Sequence, residues 1–141
     1  MRPMHAYTFI DVVSHLEWSA DSSLLLIGIA KRALAFVKSL HDPDWHCKID
    51  EGMAGLAYCQ FSQTPQPHVL TVSEFKVRLT IWSLVEPSPA MQYIKGPKFD
   101  SAAGIAFSPN GKLMALAEKS SDKDVIGIYD TVSSAKWSKL Y

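Results

Sequence analysis

The feature that most constrains the fold is a pattern that occurs three times along the chain. An aromatic residue followed by serine appears as Trp18-Ser19, Phe61-Ser62 and Phe107-Ser108, at separations of 43 and 46 residues. A polar turn follows each pair, and after it comes an apolar run that is too short for a typical helix. A nearly constant period of this length indicates a repeat architecture in which each unit is one supersecondary element.

The third copy is the clearest strand–turn–strand unit. Pro109 presets φ for the second position of a turn, Asn110 tolerates the third, and Gly111 can take the positive φ that closes it. The apolar runs at residues 104–107 and 113–117 flank this turn. The segment therefore predicts the first two strands of an antiparallel sheet.

Two further strands are predicted in each unit. The third strand ends in a large residue, at Val37, Trp82 and Tyr129, and a fourth short segment closes the unit. Four strands at a period of about 40 to 45 residues are typical of a β-propeller blade. The predicted fold class is all-β, a partial β-propeller of about three four-stranded blades. The blades are predicted at residues 12–49, 54–95 and 102–141, and residues 1–11 are expected to be the last strand of an upstream blade.

A helix over residues 24–40 is the competing interpretation of the most apolar segment. Leu24, Ile27, Lys31, Leu34 and Val37 fall at helical steps. The strand interpretation is favoured because the other two units repeat the same order of strands and turns.

Composition limits the classes of function. The 141 residues carry 14 basic and 14 acidic side chains, so no overall charge would attract nucleic acid or an anionic membrane. Cys47 and Cys59 are too few for a disulfide framework, which predicts a reducing compartment such as the cytoplasm. Residues 1–20 do not resemble a signal peptide, because they lack an uninterrupted apolar core.

A search for reaction chemistry finds no assembled motif. His15 and Glu17 match half of a zinc-deaminase pattern, but Cys47 and Cys59 have the wrong spacing for the other half. Glycine-rich phosphate loops and the Gly-x-Ser-x-Gly motif are absent from the sequence. We therefore predict a non-enzymatic chain with no catalytic residue, no metal site and no cofactor. A small hydrolase or metal enzyme is the alternative.

The repeats resemble WD repeats, with Trp82-Ser83 and Tyr129-Asp130 where that family has its Trp-Asp pair. The turns before the third strands carry Lys31, Lys76 and Lys123 near the family's usual aspartate, so we expect packing rather than a buried polar network to stabilise the blades. The run at residues 43–52 resembles the centrosomal and spindle-pole WD-repeat subfamily most distinctively.

The resemblance implies an interaction scaffold that helps to anchor microtubule minus ends and to organise the spindle. It further implies a coiled-coil microtubule-anchoring protein of the Msd type as partner, other centrosomal partners, and a location in the cytoskeleton at the centrosome or spindle pole. A module of another assembly, such as a translation-initiation-factor-like propeller, is the second interpretation.

The predicted partner surface comprises the loops between second and third strands and the loops between blades, where propellers usually bind. Phe75 and Phe99 are the predicted anchors, because an exposed aromatic residue in a loop suits that role. Burial of each ring under its own hairpin is the alternative. The predicted partner-binding residues are Lys31, Arg32, Asp50, Glu51, Glu74, Phe75, Lys76, Lys98, Phe99 and Lys123.

Overall fold

The structure is a computed structural model that describes residues 6–9, 11–84, 91–132 and 136–141. These residues form three four-stranded antiparallel sheets and no α-helix, which confirms the all-β prediction. The first sheet contains β1 (His15–Trp18), β2 (Leu24–Ile29), β3 (Leu34–Ser39) and β4 (His46–Asp50). The second contains β5 (Tyr58–Phe61), β6 (His68–Val72), β7 (Arg78–Ser83) and β8 (Met91–Lys95). The third contains β9 (Ile105–Phe107), β10 (Leu113–Ser120), β11 (Lys123–Asp130) and β12 (Ser138–Lys139).

The alternative helix at residues 24–40 is absent from the structure. A short 3-10 turn, Ala30–Arg32, separates β2 from β3, and Ala33 has a left-handed φ of 55° that reverses the chain. The predicted upstream strand stays a prediction: residues 6–9 and 11 lie outside any strand, and residues 1–5 and 10 lie outside the described part of the chain.

The three repeated serines hold the first turn of each sheet together. The backbone N–H groups of Leu24, His68 and Leu113 donate to the hydroxyls of Ser19, Ser62 and Ser108 at 2.8–3.0 Å. Each serine N–H in turn donates to the carbonyl of the same partner residue. The hydroxyl of each serine also forms a hydrogen bond with the side chain two residues later. These side chains are Asp21, Thr64 and Asn110. The repeat in the sequence is therefore a repeat of hydrogen bonding, since the backbone groups at a turn need partners.

Strand register corrects the alignment of the third strands. In the second sheet Phe61 pairs with Val69, which pairs with Trp82 on its other side. In the third sheet Phe107 pairs with Met114, which pairs with Tyr129. The corresponding residue of the first sheet is Lys38, so the prediction that Val37 occupies this position is wrong by one residue. A shift of one residue reverses the face of a strand, and Val37 accordingly lies in the core between the first and second sheets.

The sheets pack face to face through two apolar cores. One core joins the first and second sheets around Leu26, Val37 and Phe61, and the other joins the second and third around Leu70 and Met114. We call the face that each sheet presents to the next its leading face, and the opposite face its trailing face. Each strand alternates between the two faces.

Close approaches and hydrogen bonds fix adjacent sheets against each other. A Cβ atom at Gly28 would lie 2.8 Å from Cys59 Sγ, so glycine allows the first and second sheets to approach closely there. Glu17 Oε1 accepts from the Phe61 N–H at 2.9 Å between the first and second sheets. Gln92 exchanges two hydrogen bonds of 2.8 Å with the backbone of Trp137 between the second and third.

The Pro109–Gly111 turn has a role in packing as well as in chain reversal. Gly111 has a φ of 72°, and a Cβ atom there would lie 2.7 Å from the backbone oxygen of Gln63 in the corresponding turn of the second sheet. The two turns therefore touch, and glycine is required by both the backbone conformation and the contact.

Among the described residues, no helix has the length and apolar composition needed to cross a bilayer.

Candidate interaction surface

The loops that the sequence singles out lie at one edge of the three sheets. We call this edge the loop face, and it consists of residues 30–33, 51–55, 73–77, 96–104 and 119–124. Backbone hydrogen bonds join neighbouring loops: Glu51 N–H donates to Ala33 O at 2.9 Å, and Gly96 N–H donates to Val77 O at 3.2 Å. The loop face is thus a connected surface.

Glu51 differs from the other predicted contact residues because it is buried. Its Oε1 accepts from Thr71 Oγ1 at 2.7 Å and its Oε2 pairs with Arg78 at 3.2 Å, while Trp82 Nε1 donates to Thr71 Oγ1 at 2.8 Å. Both carboxylate oxygens are therefore occupied inside the chain. Glu51 supports the loop face from within, and the expectation that it belongs to the exposed surface is wrong.

A second polar cluster lies on the trailing face of the third sheet. Tyr129 Oη donates to Glu118 Oε2 at 2.9 Å, and Lys139 Nζ lies 3.2 Å from the other oxygen of this carboxylate. Burial and the adjacent Glu118 raise the pKa of the Tyr129 hydroxyl, which therefore stays protonated and donates. Gly127 has no room for a side chain, because a Cβ atom would overlap Glu118 Oε2. The expectation that the blades lack a buried polar network is thus wrong for the second and third sheets.

Phe75 is the most exposed of the predicted anchors. It follows Ser73 and Glu74 in a turn, has a left-handed φ of 61°, and leaves 89% of its surface accessible. Lys76 also has a positive φ of 55°. A bulky residue in the left-handed conformation costs about 1–2 kcal/mol. The exposed Phe75 ring contributes no buried area that would offset this cost. The alternative that Phe75 packs under its own hairpin is wrong.

Two exposed apolar residues, one in the loop of Phe75 and one in the loop that touches it, were missed by the sequence analysis. Met53 and Val77 are both exposed, and their loops touch because the Glu74 side chain packs against Gly55. Val77 immediately precedes β7, which begins at Arg78. For Met53 the available signal was an apolar residue between two turn-forming glycines, Gly52 and Gly55.

Phe99 is less available than Phe75. Its ring packs against the backbone of Gly104, where a Cβ atom would lie 2.9 Å from Phe99 Cδ2, and 39% of its surface remains exposed. Lys98 Nζ lies 5.4 Å from the ring centroid and forms an ion pair with Asp124. The hydrogen bond from Lys98 lowers the pKa of the Asp124 carboxyl. This part of the loop face is held by internal contacts.

Lys31 and Arg32 are exposed and share one carboxylate. Arg32 Nε lies 2.8 Å from Asp11 Oδ2, and Lys31 Nζ lies 3.9 Å from its other oxygen. The hydrogen bond from Arg32 lowers the pKa of the Asp11 carboxyl. Exposed ion pairs of this kind contribute little to stability, so both cations can exchange partners at low cost.

The remaining predicted residues are exposed. Asp50 Oδ1 accepts from the Gly52 N–H at 2.8 Å and so orders the start of the Met53 loop. Glu74 and Lys76 flank Phe75, and Lys123 is the first residue of β11. Asp50 precedes the loop of Met53, and Glu74 and Lys76 lie in the loop of Phe75 and Val77. Lys123 lies in the third-sheet loop.

The residues considered for metal or acid–base chemistry have structural partners. Cys47 and Cys59 are buried free thiols, and burial raises the pKa of Cys59 to about 12. The His15 ring packs edge-on against Tyr58 at 5.6 Å. Within the part of the chain that the structure describes, no three His, Cys, Asp or Glu side chains form a group that could hold a metal ion.

An open groove of about 840 Å³ runs along the first strands and their turns at the opposite edge. It includes Trp18, Phe107 and the Pro109–Gly111 turn. Glu17 lines it as well, but the Glu17 carboxylate is engaged by the Phe61 N–H. Asp21 lines the groove too, and its Oδ1 accepts hydrogen bonds of 2.7 Å from the hydroxyls of Ser19 and Ser23.

Consecutive four-stranded sheets that pack face to face define a partial β-propeller. Two solved structures have this fold in common with the chain: 6-phosphogluconolactonase-type proteins from Bacteroides fragilis and Bacteroides uniformis. Their TM-scores are 0.62 and 0.58 at 14% and 16% identity, over 91% and 88% of this chain and 37% and 38% of theirs. At this level of identity the similarity concerns the fold alone.

The chain belongs to the WD-repeat family. It is 42% identical over 126 residues to the mouse (Mus musculus) WD repeat-containing protein WRAP73, an alignment that covers 89% of this chain. The chain spans about a quarter of the length of that relative, of which 26% is covered. No protein-family model matches the chain.

Proposed function

We propose that the chain is a non-enzymatic protein-interaction scaffold that binds protein partners through its loop face. The observation that carries the proposal is the exposed, left-handed Phe75, with exposed Val77 in the same loop and exposed Met53 in the loop that touches it. A rigid aromatic residue is a frequent anchor of protein interfaces, since it buries a large apolar area on binding.

The supporting structure suits a preformed binding site. The two loops that carry Met53 and Phe75 are connected by the hydrogen bonds that Thr71 and Arg78 donate to Glu51. Trp82 supports this connection with a buried hydrogen bond to Thr71. A surface that is already ordered loses little conformational freedom when a partner binds. The scaffold therefore presents Phe75 at a fixed position without help from the partner.

The finer part of the proposal concerns the cellular assembly. We place the chain in the cytoplasm and cytoskeleton, at the centrosome or spindle pole, with a coiled-coil microtubule-anchoring protein as its partner. Support comes from the distinctive run at residues 43–52 and from the similarity to mouse WRAP73. The balanced charge of the chain gives no reason to propose nucleic acid or membrane binding.

Proximity labelling with the tagged chain tests both parts. Phe75→Asn should remove partners, because asparagine tolerates the left-handed conformation and deletes only the aromatic ring. Val132→Asn is the matched control, since Val132 is also exposed but follows the opposite end of β11. An unchanged partner list for Phe75→Asn contradicts the role of the loop face. Ribosomal subunits in place of centrosomal proteins would contradict the proposed assembly and favour the initiation-factor-like alternative.

A further inference from the structure

The outer edge of the second sheet carries backbone groups that the fold does not use. Gly96 N–H donates to Val77 O at 3.2 Å, and hydrogen-bonded pairs alternate with other pairs along an antiparallel ladder. The N–H and C=O groups of Met91, Tyr93 and Lys95 therefore point away from β7. Among the described residues, no hydrogen bond takes up these outward groups. We call this row of three residues the β8 edge.

The outer edges of the other two sheets are protected. The corresponding row of β4 consists of His46, Lys48 and Asp50, whose polar side chains are all exposed. β12 is two residues long, and the Gln92 side chain takes up both backbone groups of Trp137, which directly precedes it. Charged side chains and short strands are usual means of preventing an edge from pairing with another chain. The β8 edge, by contrast, belongs to a five-residue strand that carries a charge only at its last position.

Two large side chains of the β8 edge are exposed and supported from within. Met91 and Tyr93 leave 49% and 50% of their surfaces accessible. They lie on the trailing face, because they alternate with Ile94, which packs in the core with the third sheet. The Arg78 guanidinium lies 4.4 Å from the centre of the Tyr93 ring and also pairs with the buried Glu51 carboxylate. The ring is thus held in position before a partner binds, which lowers the entropy cost of binding.

We infer that the β8 edge binds an extended, acidic segment of a partner protein, which adds to the second sheet as a fifth strand. The outward groups specify a strand, because an extended backbone offers donors and acceptors at the same two-residue spacing. Alternate side chains of the segment pack beside Met91 and Tyr93 on the trailing face. Lys95 forms no ion pair with any described residue, and a carboxylate of the segment supplies one.

A second copy of the chain suits this edge less well than an acidic segment does. Two β8 strands that pair antiparallel about Tyr93 would place each Lys95 opposite a Met91. Both lysine charges would then face an apolar side chain and lack an opposite charge. The β8 edge shares no residue with the loop face, so this inference goes beyond the proposed function and does not depend on Phe75.

A displayed library of peptides of about ten residues, long enough to span a strand, tests the inference when it is selected against the 141-residue chain. We expect the selected peptides to alternate apolar and polar residues and to carry carboxylates. Tyr93→Pro should weaken their binding at least about tenfold, because it removes the ring and an outward N–H but no hydrogen bond to β7. Lys48→Pro is the matched control, since it removes the outward N–H at the corresponding position of β4, and it should leave binding unchanged.

Lys95→Glu tests the charge without any change to the backbone. This exposed substitution should leave the circular dichroism spectrum unchanged and should weaken binding of the acidic peptides. Replacing the carboxylates of a selected peptide with lysines should restore its binding to the Lys95→Glu variant. A peptide that binds both chains equally would contradict the acidic character of the segment.

Selective methylation of the peptide backbone distinguishes strand addition from side-chain contact alone. An added strand directs every second N–H to its neighbour. N-methylation of the set that faces β8 should therefore abolish binding, whereas methylation of the intervening set should leave it intact. Hydrogen exchange should also show that the Tyr93 N–H becomes protected in the complex.

Four outcomes would overturn the inference. They are a library that yields no binding peptide, equal sensitivity to both sets of methylation, binding that survives Tyr93→Pro, and a dimer of the chain that Tyr93→Pro dissociates. The last outcome would assign the edge to a second copy. Phe75→Asn should not affect peptide binding at the β8 edge, so failure here leaves the proposed scaffold function through the loop face intact.

Discussion

Trp82 Nε1 donates a hydrogen bond of 2.8 Å to Thr71 Oγ1 in the interior of the second sheet. Thr71 in turn donates to the buried carboxylate of Glu51, which also pairs with Arg78. The indole N–H, the hydroxyl and the carboxylate therefore satisfy one another away from water. Removing the central hydroxyl leaves the Trp82 N–H without an acceptor and one of the two Glu51 oxygens without a donor, which is costly.

Thr71→Val should lower the free energy of unfolding by about 1–3 kcal/mol, because it removes the acceptor of Trp82 and a donor to Glu51. Thr80→Val is the matched control, since Thr80 lies opposite Thr71 and is equally buried. Among the described residues its Oγ1 has no hydrogen-bond partner. Thr80→Val should therefore be neutral or stabilising. Urea unfolding measures both, and equal losses would contradict the network.

Periodicity in the sequence was sufficient to predict the three sheets and most of their strands. The aromatic–serine pairs carried this information because each serine makes the same hydrogen bonds at the same turn. The misplaced Val37 shows the limit of the method: spacing locates a strand but leaves its register uncertain by one residue, and one residue changes the face.

The surface was less predictable than the fold. The sequence identified Phe75 as a loop residue, but its exposure depends on a left-handed backbone conformation. Phenylalanine rarely adopts this conformation, so the residue type gave no sign of it. Glu51 was assigned to the surface because it lies in a loop between two predicted blades. Its partners Thr71 and Arg78 are 20 and 27 residues away in the sequence, so their meeting depends on the assembled second sheet.

Gly111→Ala should destabilise the chain more than Gly52→Ala does. Both glycines have positive φ, 72° and 59°, so each substitution carries a backbone cost of about 1–2 kcal/mol. At Gly111 the added Cβ atom also meets the backbone oxygen of Gln63, whereas the space around Gly52 is open. Thermal unfolding of the two variants isolates the contact between the turns. Equal losses in stability would show that this contact is unimportant.

Glu17→Gln should reduce the pH dependence of stability. Burial raises the pKa of Glu17 above its usual value of 4.5, although the Phe61 N–H acts in the opposite direction. The folded chain therefore binds more protons than the unfolded chain between the two pKa values, and this contribution to stability is lost as pH rises through the folded pKa.

Glutamine keeps an acceptor for Phe61 and does not titrate, so the slope of stability against pH should flatten from pH 4.5 upward. Glu17→Leu serves as the comparison, because it also removes titration but leaves the Phe61 N–H without its acceptor. Urea unfolding at a series of pH values should show lower stability for Glu17→Leu than for Glu17→Gln throughout. A Glu17→Gln profile parallel to that of the original chain would disprove the assignment.

Phe75→Asn should leave the isolated chain as stable as before, or stabilise it by up to about 1 kcal/mol, while partner binding is lost. Asparagine is several-fold enriched in the left-handed region, so it relieves part of the strain at φ 61°, and the exposed ring contributes little by burial. Ser22→Asn is the matched control, because it relieves similar strain at a φ of 64° in a turn away from the loop face and retains the aromatic ring. Thermal unfolding together with partner capture separates the two effects. A marked loss of stability in Phe75→Asn would show that the ring supports the fold, and its exposure would then no longer argue for a partner.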